Sequence, residues 1–334
     1  MKDVYILAVE SSCDETSMAV VKNGCEVIAC TILTQMDTHA LYGGVVPEIA
    51  SRMHIENITM VLEETLKKAK MTVQEMDAIA VTYAPGLMGS LLVGLEVAKT
   101  LSFIYNKPLI AVNHMIGHIY ANNLESKMKF PLLALVVSGG HTYLIYMEDD
   151  YEFKILGSTL DDAIGECFDK VARVLDLGYP GGPKVEQLAK EGNDTYTLPI
   201  PMNNDSLDFS YSGLKSSIIN LVHHEKQRGN EIRKADLACS FQNVAFDELI
   251  RKTSLAIDKY KIKNLIVAGG VSASCELRKK LEELAKDKNV HLTVPNFKYC
   301  TDNAAMIGAA AYPLFKDKKF ASLNLNAKSV ETLQ

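Results

Sequence analysis

The sequence predicts an α/β protein built from two similar halves. Apolar strand segments alternate with helical ones along the chain, which is the α/β pattern. An apolar strand, a small polar turn and a returning strand occur twice, in VYILAVESSCDETSMAVVKNG and in LLALVVSGGHTYLIYMED. Glycine-rich turns stand where strands hand over to helices, the place where α/β folds collect ligands. A chain of 334 residues, 48% of them apolar, suits about two domains around sizeable cores.

In chain order, the first hairpin carries Glu10, Asp14 and Glu15 near its turn. Carboxylates there can order a metal or a water, or simply cap the turn. MDAIAVTYAPGLMGSLLVGLEVAKTLSFIY then reads as a strand, a Pro-Gly turn and a long helix. HMIGHIY puts His114 and His118 four apart, on one face of a helix, so both rings can reach one ion. Two buried histidines with ordinary hydrogen bonds are the alternative. Gly117 costs about 1 kcal/mol in a helix interior, tolerable where something approaches the backbone closely.

The second hairpin turns through Ser138, Gly139 and Gly140. Each hairpin is expected to lead into a helical or α/β stretch. DDAIGECFDKVARVL is a predicted helix carrying Asp169, which by itself reads first as a solvated helical carboxylate. YPGGPKVE leads Gly181 and Gly182 into a helix, and Lys215 in FSYSGLKSS suits phosphate or water. IKNLIVAGGVSASCELRKKLEEL is a buried strand, a Gly-Gly turn and an amphipathic helix. Consecutive backbone amides at such turns make anion sites, and helix N-termini add to them. Three of them suggest a nucleotide cleft. Asp302 in CTDNAAMIGAAAY opens an apolar helix, either as its N-cap or as a third metal ligand. We place the subdomain division at 126/127, with the helix after about residue 301 a candidate to rejoin the first half.

Several classes fall away. There is no GxxxxGK[ST], and no GxGxxG follows a strand. Met115 stands where the HExxH of a metallopeptidase needs its glutamate base. The seven cysteines form no CxxC pair, which argues for reduced thiols. The longest apolar run falls short of the roughly 20 residues a membrane span needs, so a cytoplasmic protein is expected. At a net charge of −6 no global positive field attracts nucleic acid. Lys67, Lys68 and Lys70, and Arg278, Lys279 and Lys280, form local basic clusters of the kind that are usually solvated helix faces.

The ordered blocks ESSCDET, GGVVPEIASRMH, APGLMGSLLVG, NHMIGHIYA, LVVSGGHT, YPGGP, YSGLKSS, VAGGVSA and TDNAAMIG span residues 10 to about 308. Together they resemble the catalytic subunit family of tRNA threonylcarbamoyladenosine synthesis, once described as a sialoglycoprotein endopeptidase. The resemblance implies an actin-like ATPase fold, shared with sugar kinases, in which two α/β domains flank a nucleotide and metal cleft. It implies transfer of threonylcarbamoyl from threonylcarbamoyl-AMP to N6 of the adenosine 3′ of the anticodon in tRNAs reading codons that begin with A. It also implies that His114, His118 and Asp302 hold one divalent metal, Fe(II) before Zn(II), and that ATP or ADP can occupy the cleft. Val137, Ser138, Gly139, Gly140, His141, Asp169, Gly182, Glu186 and Ser274 would meet the substrate. The family usually has Asn where Ser274 stands, and Ser offers a single hydroxyl in place of an amide. The bacterial family works on tRNA with a paralogue lacking the metal site and a small ATPase. A metallopeptidase and a small-molecule kinase of the same fold are the alternatives.

Overall fold

A computed structural model describes residues 2–331 and 333. Its strands are β1 (Tyr5–Glu10), β2 (Glu15–Lys22), β3 (Glu26–Thr34), β4 (Ala78–Ala84) and β5 (Leu109–Asn113), then β6 (Leu132–Val137), β7 (Thr142–Asp149), β8 (Glu152–Ser158), β9 (Asn264–Ala268) and β10 (His291–Thr293). The helices are α1 (Met36–Ala40), α2 (Pro47–Ala69), α3 (Met88–Ile104), α4 (His114–Tyr120) and α5 (Ile164–Val174), then α6 (Gly181–Ala189), α7 (Ser212–Gln227), α8 (Lys234–Tyr260), α9 (Cys275–Lys288) and α10 (Ala304–Lys316). No helix among the described residues is long and apolar enough to cross a membrane.

By backbone contacts the chain divides into two units. One runs from the N-terminus to Met128 and resumes at Pro295–Leu333; the other is Lys129–Val294. The C-terminal helix α10 therefore packs in the first unit. The first sheet has the order β3-β2-β1-β4-β5 and the second β8-β7-β6-β9-β10. In each, three strands form an antiparallel meander and two more add in parallel to its first strand. The two halves thus share one topology. The expected hairpins are present, but each is followed by a third strand before any helix. The added strand of the first unit, β3, alternates buried and exposed residues irregularly, so period-2 patterning does not announce it.

In the first sheet β1 and β4 are buried along nearly their whole length, because both faces are covered. Leu7, Val9, Met18, Val20, Ile79 and Val81 pack with Ile58 and Val61 of α2 and with Leu91, Leu95 and Ala98 of α3. Each such Leu, Ile or Val contributes about 1.5–3 kcal/mol on full burial. Their neighbours in the strands include small residues, Ala8, Ala19 and Ala80. There α10 lies close, with Gly308 against Val21 and Ala8. In the second unit β6 and β9 supply Leu133, Leu135, Leu265 and Val267 to a core shared with α5, α8 and α9.

α2 begins with Pro47 at its first turn and ends at Lys70 in the left-handed region. His54, the last residue of the GGVVPEIASRMH block, is fully buried on α2. Its Nδ1 is 2.7 Å from the Thr16 hydroxyl and its Nε2 3.0 Å from the Cys13 carbonyl. Burial pushes its pKa down. A neutral ring with Nε2 donating therefore ties α2 to the turn that carries Glu10 and Ser12.

Candidate functional site

α4 begins directly at the end of β5. Asn113 caps it by accepting a hydrogen bond from the Met115 amide, and this places His114 at the first helical position. His114 and His118 follow on one face, with ring centroids 4.6 Å apart and nearly perpendicular. Both Nε2 atoms point at one oxygen: His114 Nε2 is 3.4 Å and His118 Nε2 3.2 Å from Asp302 Oδ1. One ligand atom from each of the three residues lies within 4.8 Å of the others.

Asp302 is free for this role because its neighbour does the capping. The Asn303 side chain accepts the hydrogen bond from the Met306 amide and is the N-cap of α10. Gly117 owes its place to the same helix. A Cβ there would lie 2.7 Å from Ile307 Cδ1 and 3.3 Å from Met306 Cγ, so the close approach is that of α10. Packing α10 onto α4 through a glycine is what carries Asp302 to the two imidazoles.

Behind His114 lies Glu10, at the carboxyl end of β1 and fully buried. Its Oε2 is 3.1 Å from His114 Nδ1 and accepts the Thr82 hydroxyl at 2.5 Å; its Oε1 accepts the Ser12 amide at 2.6 Å. The Ser12 hydroxyl is also 3.1 Å from His114 Nδ1. Burial alone would lower the pKa of His114, but Asp302 and Glu10 on either side outweigh it and raise the pKa well above the ordinary value. Burial, and then the charge on His114, push His118 down. Burial opposes ionisation of Asp302 too, yet the charge on His114 and hydrogen bonds from both rings hold this carboxylate far below the usual range.

Two imidazole nitrogens and a carboxylate oxygen, converging within 4.8 Å, fit a divalent cation of the Fe(II) or Zn(II) type. Metal-bound histidines commonly have the second nitrogen held by a carboxylate, and His114 has that arrangement. His118 Nδ1 is buried and without a hydrogen-bond partner among the described residues. Met115 is buried in the core and supplies no base.

The other expected residues belong to the second unit and gather at the carboxyl ends of β6 and β9. Val137 is buried at the end of β6. The carbonyls of Ser138 and Gly139 accept the amides of Gly165 and Glu166, so this turn closes the N-terminus of α5. The Ser138 side chain accepts the His141 amide at 3.1 Å, and the His141 ring stacks on Tyr143 at 5.7 Å. Gly269 presses on the Val137 carbonyl with φ at +89°, a position closed to any side chain. Gly139, Gly140 and Gly182 instead face open space.

Two helix N-termini in this region are already occupied by the protein's own carboxylates. Asp169 Oδ1 accepts the Gly181 amide at 2.7 Å at the start of α6, so it is no free solvated carboxylate. Burial still raises its pKa. Glu186 Oε1 accepts the Cys275 and Glu276 amides at the start of α9. Ser274 is the N-cap of α9, its hydroxyl accepting the Leu277 amide at 3.2 Å. At the starts of α6 and α9, the turns where anion sites were expected, these carboxylates accept the first amides. Lys215 faces neither phosphate nor water alone: it pairs with Asp162 at 2.5 Å. Among the basic clusters, Lys67 and Lys68 pair with Glu64 and Lys280 with Asp247, as solvated helix faces do.

The family model for tRNA N6-adenosine threonylcarbamoyltransferase (TsaD) matches residues 26–309. The proteins of that name from Staphylococcus haemolyticus and Staphylococcus aureus are 51% identical over 98% of this chain and 96% of their own length. Among solved structures, HypF of T. kodakarensis aligns at TM-score 0.66 and 14% identity, over 97% of this chain and 49% of its own. Component A of (R)-2-hydroxyglutaryl-CoA dehydratase from Acidaminococcus fermentans aligns at TM-score 0.53 and 14% identity, over 93% and 98%. These two share the fold, the actin-like ATPase architecture. The chain belongs to the tRNA N6-adenosine threonylcarbamoyltransferase family.

Proposed function

We propose that this protein transfers the threonylcarbamoyl group of threonylcarbamoyl-AMP to N6 of the adenosine 3′ of the anticodon in tRNAs reading ANN codons, releasing AMP. The observation that carries this is family membership across nearly the whole chain, joined to the convergence of His114, His118 and Asp302. These three residues hold one divalent metal, Fe(II) in preference to Zn(II). When bound, it supplies a fixed positive charge and Lewis acidity toward substrate oxygens.

The chain's own groups do the rest. Asp169 and Glu186, anchored by the amides they accept, present carboxylate oxygens suited to ribose hydroxyls, and Gly182 leaves room for the nucleoside. Val137, Ser138, Gly139, Gly140 and His141 line the acyl-adenylate, and backbone amides of the glycine turn steady its negative charge. Ser274 caps α9, a task Asn performs equally well, and its hydroxyl hydrogen remains to donate to substrate. The attacking amine is a weak nucleophile, and positioning contributes several kcal/mol. The leaving phosphate takes the proton that the attacking amine loses. The protein works in the cytoplasm with a paralogue lacking the metal site and a small ATPase, which help a chain of net charge −6 hold tRNA.

One comparison separates transferase from peptidase. Metal-loaded protein with its partners is offered labelled threonylcarbamoyl-AMP and unmodified tRNA, and separately casein. Label in tRNA with intact casein is expected; casein cleavage without label in tRNA would overturn the assignment. A kinase of this fold would turn over ATP regardless of changes at His118.

A further inference from the structure

We propose that Glu10 is a positioning residue: it fixes the proton of His114 on Nδ1 and so presents Nε2 to the cation. This rests on His114, His118 and Asp302 being the metal ligands. Three neighbours meet the carboxylate of Glu10. Oε1 accepts the Ser12 amide, and Oε2 accepts the Thr82 hydroxyl and faces His114 Nδ1. A buried ionised carboxylate can only accept. Left alone, the Ser12 hydroxyl, 3.1 Å from the same nitrogen, could donate to it and drive the proton to Nε2, where a metal cannot bind. In the neutral ring that a cation requires, Glu10 decides between the two tautomers. His118 has no such support, since its Nδ1 has no hydrogen-bond partner among the described residues. The two imidazoles are therefore unequal ligands, and His114 is the one held ready.

The glutamine variant tests this sharply, because a backbone amide cannot be switched off. In Glu10→Gln the amide carbonyl must face the Ser12 N–H, which puts the NH2 group against Thr82 and His114 Nδ1. The threonine hydroxyl can turn to accept. His114 must then accept on Nδ1 and carry its proton on Nε2, the wrong tautomer for a ligand. Glu10→Ala, by contrast, leaves the ring free to choose. The inference predicts that the isosteric variant is the more damaging of the two. A purely structural or charge role predicts that alanine is at least as damaging, because it loses the charge and leaves a cavity as well.

The experiment measures Co(II) and Zn(II) affinity of the full chain by competition with a chelator, with the visible Co(II) spectrum as second readout. It compares wild type, Glu10→Gln, Glu10→Ala and His118→Ala, each first shown by metal-free melting to be folded. Loss of the group that hydrogen-bonds a metal-binding histidine typically costs about 10–100-fold in affinity. Glu10→Gln is expected at or beyond the upper end of that range with an altered Co(II) spectrum, and Glu10→Ala nearer the lower end. Glu10→Gln binding as tightly as wild type, or more tightly than Glu10→Ala, overturns the role of Glu10 while His118→Ala still loses metal. If His118→Ala binds metal like wild type, the ligand assignment itself fails and the role of Glu10 falls with it.

Discussion

Gly117 shows how a single residue sets the site. The glycine lets α10 approach α4, and that approach delivers Asp302. Gly117→Ala would force Ile307 and Met306 aside. We expect it to destabilise the protein by about 1–3 kcal/mol in urea unfolding, the usual cost of overpacking. An unchanged midpoint would show that α10 yields freely. The departure at Ser274 makes a second test at this scale. Ser and Asn cap helices about equally, whereas Ala loses about 1 kcal/mol. Ser274→Asn should therefore unfold within a few tenths of a kcal/mol of wild type, and Ser274→Ala clearly earlier. The histidine pair was legible in the sequence because i, i+4 spacing is local. The role of Asp302 was legible only as an alternative, since nothing in TDN says which residue caps. Glu10 stood in view at the first turn, but its pairing with His114 joins residues 104 positions apart. That pairing comes from the parallel order of β1, β4 and β5, which no local pattern records.

Among the elements, the start of α7 depends on one carboxylate. Asp161 accepts the Ser210 and Ser212 hydroxyls and the Tyr211 and Ser212 amides. Burial opposes its ionisation, yet these four bonds lower its pKa below the ordinary 3.8. A carboxyl depressed in the folded state stabilises it fully above the unfolded pKa, and the stabilisation is lost as pH falls through the folded value. Asp161→Asn should cost about 1 kcal/mol near neutral pH, the worth of an N-terminal cap. Denaturant unfolding should show the gap to wild type closing as pH drops below 3.8. A gap independent of pH would mean that the charge does not matter. The hairpins and the strand–turn–helix units were readable because alternation, glycine turns and amphipathic helices are short-range signals. β3 and β8 escaped because each merely extends a meander and carries little patterning of its own.

For the whole molecule, the duplicated strand order explains why two hairpins foretold two similar halves. It also explains what the sequence could not show. The candidate metal ligands all fall in the first unit and the residues proposed for substrate in the second, a separation that glycine turns alone do not reveal. Those turns suggested phosphate sites. The structure has instead filled two helix N-termini with Asp169 and Glu186, a choice made by side chains from neighbouring helices. A cation bound to the folded state alone stabilises it by mass action, by about 2.7 kcal/mol at a hundredfold excess over Kd. Melting of metal-free protein should therefore rise with added Zn(II) or anaerobic Fe(II), and should do so in wild type but not in Asp302→Ala. Equal shifts in both would place the cation elsewhere.

The most direct measurement is the metal content of protein purified without oxygen, wild type beside His118→Ala. One divalent ion per chain in wild type and little in the variant is the expected result. Wild type without metal, or a variant that retains as much as wild type, would contradict a cation held by His114, His118 and Asp302.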